Sequence, residues 1–142
     1  MERERTPTLI GWRLLALAYD LFPVLALWFA IAGVFTFAHG DSIRGGLLGL
    51  FEFAALWLAG GLYAVVSWGR GGQTLGMRPW RLQVVAAEGG PAGARALWLR
   101  YAVGGVSLLL AGLGFWWAWV DRAGLTWHDR VSNTRLLRRG QR

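Results

Sequence analysis

The chain contains no cysteine and no lysine, and only eight aspartates and glutamates stand against its fifteen basic residues, all arginine. The missing cysteine excludes a disulfide framework and any thiolate-ligated metal. The missing lysine means that the net charge of +7 is carried by guanidinium groups alone. Charge of either sign is scarce, at 16% of residues with 55% hydrophobic and a mean hydropathy of +0.38. Soluble domains carry about 25% charged residues, so an ordinary soluble fold is excluded. Histidine is limited to His39 and His128.

What charge there is avoids three long runs. Leu14 to Ala38 holds one residue charged at neutral pH, Asp20; Leu47 to Trp68 holds one, Glu52; Tyr101 to Val120 holds none. A spanning helix needs roughly 20 mostly apolar residues, and each run is long enough. Core helices of a soluble bundle would show a polar stripe every three or four residues, and these runs do not. The chain is therefore read as a single membrane domain over 1–142, with spans at about 12–37 and 46–68 and a third apolar segment at about 98–120. Between them lie a loop at 69–97 and a basic tail at 121–142. The alternating charges of Met-Glu-Arg-Glu-Arg make a poor signal-peptide start, so the first run is expected to stay as an uncleaved span. Pro23 inside it is a possible kink.

The fold class that follows is an all-α membrane protein: a transmembrane hairpin, a third helical segment that spans or re-enters, and a short strand in the loop. Alternation around Trp80–Ala86 predicts that strand, and turn chemistry at Glu88-Gly89-Gly90-Pro91 precedes a helix. The isoelectric point near 11.4 would suggest nucleic acid in a soluble protein. Here the arginines flank apolar runs and form no nucleic-acid motif, so that partner is excluded. Trp12, Trp68, Trp80, Trp98 and Trp127 cluster near span ends, as interfacial anchors do.

The arginine distribution sets orientation. Segment 69–100 has five and the stretch before Trp12 has two, whereas the loop 38–45 has one. The first two segments are expected at the cytoplasmic face. The tail carries six from Arg122 onward, yet three full spans would place it outside. Either the third segment breaks at Gly112 or Gly114 and re-enters, or it spans and the tail violates the rule. Charge favours re-entry and two cytoplasmic termini.

Among the polar residues, Asp20 stands out: about nine residues into a span it is roughly 13 Å deep. An intramembrane carboxylate costs on the order of 3 kcal/mol, so it needs a partner, water or a proton. Arg13 lies on the same helical face but about 10 Å away along the axis, too far for a comfortable pair. Tyr63 and Ser67 are the candidate partners. Glu52, near the end of its span, reads as a snorkelling side chain. Gly71 and Gly76 mimic a phosphate-binding loop, but Met77-Arg78 replaces the lysine and hydroxyl that such a loop requires. His128-Asp129 is a poor metal site, because the other histidine belongs to the opposite membrane face. No nucleophile–base pair is visible, so neither an enzyme nor a cofactor is expected.

Three stretches together resemble the RDD family of small bacterial membrane proteins, named for one arginine and two aspartates. Gly11-Trp12-Arg13 with Tyr19-Asp20 is similar to its opening. Gly72-Gln73-Thr74-Leu75-Gly76-Met77-Arg78 is similar to its Gly-Gln-Thr-Leu-Gly-Lys-Arg, with Met77 departing. Leu125 to Thr134 is similar to its closing Leu-His-Asp-Arg-Leu-Ala-Gly-Thr, with Trp127, Ser132 and Asn133 departing. The resemblance implies a polar centre of Arg13, Asp20 and Asp129 and a role in the transport of ions or small ligands. A chain this short would have to oligomerise to enclose a pathway, and Gly45-xxx-Gly49 offers a packing face. The competing expectation is a non-transporting scaffold against a larger membrane partner. If the tail is cytoplasmic, Asp129 shares a membrane face with Arg13, so the two are expected to pair while Asp20 bonds Tyr63.

Overall fold

The computed structural model describes residues 7–41 and 44–140. Two long helices form the hairpin, α1 (Ile10–His39) and α2 (Gly46–Gly71). Their continuous apolar sequences sustain the helices, and α1 runs through Pro23 without interruption. Each ends on a left-handed glycine: the amide of Gly40 closes on Thr36 O and that of Gly72 on Trp68 O. Glycine adopts this conformation without the Cβ penalty other residues carry. Trp28 Nε1 donates to Leu56 O at 2.8 Å, joining the helices midway.

After α2 a turn region leads to β1 (Leu82–Ala86), followed by α3 (Ala94–Leu109), α4 (Leu113–Val120), α5 (Trp127–Val131) and β2 (Thr134–Arg138). The loop strand is where alternation places it. Its partner was not anticipated: β2 lies in the segment read only as a basic tail. The two pair antiparallel, Leu82 with Arg138, Val84 with Leu136 and Ala86 with Thr134. Two-stranded pairing across so long a separation leaves no local signature; the inward alternation of Thr134 and Leu136 is its one trace.

The third apolar segment is two helices bent by 98°. The corner falls at Ala111 (φ 55°) and Gly112 (φ 77°). Gly114 lies just inside α4, where a side chain would collide with Ser107 Oγ. Gly45 precedes α2 as its N-cap, so Gly45-xxx-Gly49 is not one helical face. Close packing uses Gly60 and Gly61 instead: a Cβ on Gly61 would lie 2.4 Å from the Trp98 ring, and one on Gly60 2.9 Å from Tyr101 Oη.

The molecule is inverted relative to a soluble domain. Phe22, Phe29 and Phe37 of α1 and Leu109 and Val120 of the bent pair are exposed, whereas Arg13, Arg100, Ser107, Thr126, Asp129 and Thr134 are buried. Exposed apolar helices suit lipid, where each helix satisfies its own backbone. The small apolar core (Ala16, Val65, Met77, Leu82, Val84, Leu97, Leu136) sits where the first turns of α1, the end of α2, the start of α3 and the sheet meet.

Candidate functional site

Beside that core lies a buried cluster of ions. Arg13, in the first turn of α1, donates to Asp129 through Nη2–Oδ2 at 2.7 Å and Nη1–Oδ1 at 3.4 Å. Arg100, in the second turn of α3, donates through Nη1 to Asp129 Oδ1 and to Thr134 Oγ1, the latter at 2.8 Å. The Asp129 side chain has no exposure, and each arginine side chain has 5%. Paired guanidinium–carboxylate bonds are strong and directional, which lets such a cluster join four separate segments.

Local sequence explains how Asp129 is aimed. Thr126 is the N-cap of α5 and Asp129 its third residue, and they form a capping box. Thr126 Oγ1 accepts from Asp129 N, and Asp129 Oδ2 accepts from Thr126 N, both at 3.3 Å. Such boxes satisfy two otherwise orphaned backbone donors. Burial by itself pushes the Asp129 pKa up, but Arg100, Arg13 and their bonds outweigh it and hold the carboxyl well below the usual range.

His128 adds a further contact, with Nε2 lying 3.4 Å from Arg13 Nη1. A guanidinium only donates, so Nε2 must accept and the ring proton sits on Nδ1. Nδ1 is buried and has no partner among the described residues. Burial, then the charge of Arg100, pushes the His128 pKa well below its ordinary value and keeps the ring neutral.

A second centre surrounds Asp20, one step deeper along α1. Tyr63 Oη donates to Oδ1 at 2.6 Å, Gly76 N to Oδ1 at 2.8 Å and Thr74 Oγ1 to Oδ2 at 2.5 Å. Leu75 N in turn donates to Tyr63 Oη at 3.1 Å. The Gly72–Arg78 turn is therefore a clamp for a carboxylate. Gly76 is required by close approach, since a Cβ there would lie 2.2 Å from Ala16 O.

Of the residues singled out from sequence, Arg13 and Asp129 meet, and Asp20 meets Tyr63, as expected. Arg13 and Asp20 do not bond each other, and Ser67 does not reach Asp20. Glu52, half-buried on α2, joins neither centre. Arg100, Thr74, Gly76, Thr126 and His128 were missed. Arg100 carried the same signal as Arg13, an arginine at the mouth of an apolar run, but was counted only toward orientation. Among the described residues no three His, Cys, Asp or Glu side chains come together.

The RDD family model matches residues 7–133, from the start of α1 through the second aspartate. The chain belongs to the RDD family. Arg13, Asp20 and Asp129 fall in two adjacent centres, and with Arg100 they make a set of two cations and two carboxylates. Comparison with curated proteins and with solved structures finds no match. With its apolar helices, RDD membership makes this an integral membrane protein.

Proposed function

We propose that this RDD protein is a multi-pass protein of the bacterial cytoplasmic membrane that moves cations or protons, or serves a transporter that does, with Asp20 as the exchangeable carboxylate. The observation that carries this reading is a contrast between the two acids. Asp129 is enclosed by two guanidiniums. Asp20 is half-exposed inside an apolar helix and accepts only from uncharged donors: a phenol, a hydroxyl and an amide. Among the described residues it forms no salt bridge. A half-exposed intramembrane carboxylate without a fixed cation is free to take up a mobile one or a proton.

The polar layer supports a cytoplasmic face for the start of α1, the 69–97 loop and the tail, because that layer holds most of the arginines. Two long helices and a bent pair enclose little space, so transport requires a homo-oligomer or a larger membrane partner. The closed Arg13–Asp129–Arg100 cluster favours the second reading, a scaffold whose polar groups only hold the fold together.

The test is proton- and sodium-driven flux in proteoliposomes containing only this protein. Asp20→Asn keeps an acceptor for Tyr63 and Gly76, reverses the bond with the Thr74 hydroxyl and removes the ionisable group. The expected result is a folded variant without flux. Flux that survives Asp20→Asn, or a wild-type protein with none, would overturn transport through Asp20 and leave the scaffold reading.

A further inference from the structure

At the outer rim of the polar layer, Arg81, Arg138 and Arg139 converge with Pro79 and Gly140 on a cleft of about 210 Å³. Three observations show that it is built. The Arg139 amide donates to Arg81 O at 2.9 Å, which fixes the two residues side by side. Arg138 Nε donates to Trp80 O at 3.3 Å, and its guanidinium lies 4.1 Å from the centre of the Trp12 ring. Arg81 is held at φ 56°, in the left-handed region that a non-glycine residue occupies at a cost unless its surroundings enforce it. None of the three arginines forms a salt bridge among the described residues; the three salt bridges there belong to Arg13, Arg100 and Arg130.

We propose that this cleft binds the phosphodiester of an anionic membrane lipid. Convergent guanidiniums with no carboxylate paired to them among the described residues select an anion with several acceptor oxygens, and phosphate matches the guanidinium fork. The source is assigned to lipid because the cleft is anchored to the first turn of a membrane helix. Trp12 and Trp80 lie 5.1 Å apart there, at the depth where tryptophan marks the headgroup region. Arginines that serve orientation alone need only lie on one side. They have no reason to converge or to stack on an interfacial ring.

The experiment uses the purified full chain, delipidated in neutral detergent and titrated with phosphatidylglycerol or phosphatidylcholine, with bound lipid read by native mass spectrometry. Arg81→Asn with Arg139→Gln removes two cleft charges while leaving a residue that tolerates the left-handed conformation. Arg95→Gln with Arg122→Gln removes the same charge from exposed sites that do not line the cleft. The expected result is preferential retention of phosphatidylglycerol, weakened roughly tenfold or more in the cleft variant and little changed in the other; about fivefold per arginine corresponds to about 1 kcal/mol near an anionic surface. Circular dichroism confirms that both variants fold. Equal weakening in the two variants, or no preference for phosphatidylglycerol, overturns the site. Displacement of the lipid by equimolar glycerol phosphate or inorganic phosphate overturns its assignment to the membrane.

Discussion

Asp129 has no exposed surface and two arginines, and that asymmetry determines how the cluster fails. Removing one member of a buried pair costs about 3–5 kcal/mol because a charge is left unpaired. Arg13→Ala leaves Asp129 with Arg100, whereas Asp129→Ala strands two guanidiniums at once. Thermal unfolding in detergent is therefore expected to show the larger loss for Asp129→Ala. The Arg13→Ala/Asp129→Ala double variant should be less destabilised than the sum of the singles by on the order of 1 kcal/mol. Strict additivity would show that the two residues do not share an interaction. The Arg13–Asp129 half of this cluster was legible because a cytoplasmic tail puts its aspartate at the same membrane face as the boundary arginine. Arg100 was not, since nothing in its neighbours separates an arginine that orients a helix from one that turns inward.

Among the elements, the turn between α2 and β1 is the most constrained. Its Thr74 hydroxyl and Gly76 amide hold Asp20, and its closest approach is Gly76 against the backbone of α1. A methyl group there would meet Ala16 O at 2.2 Å. Backbone cannot swing aside as a side chain can, so Gly76→Ala is expected to lose about 3 kcal/mol or more, at the upper end of overpacking costs. Gly71→Ala, five residues earlier with nothing within 4 Å of the added carbon, should be neutral or slightly stabilising, as alanine is in a helix. Thermal unfolding of the two variants side by side checks the contrast. If both behave alike, the turn does not lie against α1. The sequence revealed this stretch as a glycine-rich turn but could not say what it encloses, because its ligand, Asp20, lies more than fifty residues upstream.

Across the whole molecule, the chain returns to the level at which it entered. Arg13 lies in the first turn of α1, and Arg100 about 9 Å along α3 at the usual helical rise. Both hold Asp129, which follows the bent pair. A third segment that crossed fully would deliver Asp129 to the opposite side. Single cysteines at Glu88, Asp41 and Arg142, in a chain with no cysteine of its own, test this directly. Reporters at Glu88 and Arg142 are expected to be protected from an impermeant thiol reagent in intact cells, while the Asp41 reporter reacts. Labelling of Arg142→Cys from outside would establish three complete spans.

By itself the sequence determined the solvent, the long helices and two of the polar contacts. These follow from run length, from the cost of charge in lipid and from the sign of the flanking residues, all of which act locally along the chain. Only the tertiary structure decided that the apolar third segment turns a corner at Ala111–Gly112, that the tail supplies a strand to the loop, and that Arg100 joins Arg13 on one carboxylate. Those outcomes depend on which distant segments meet. Pairing free energy depends on distance in space, and a single sequence records only distance along the chain.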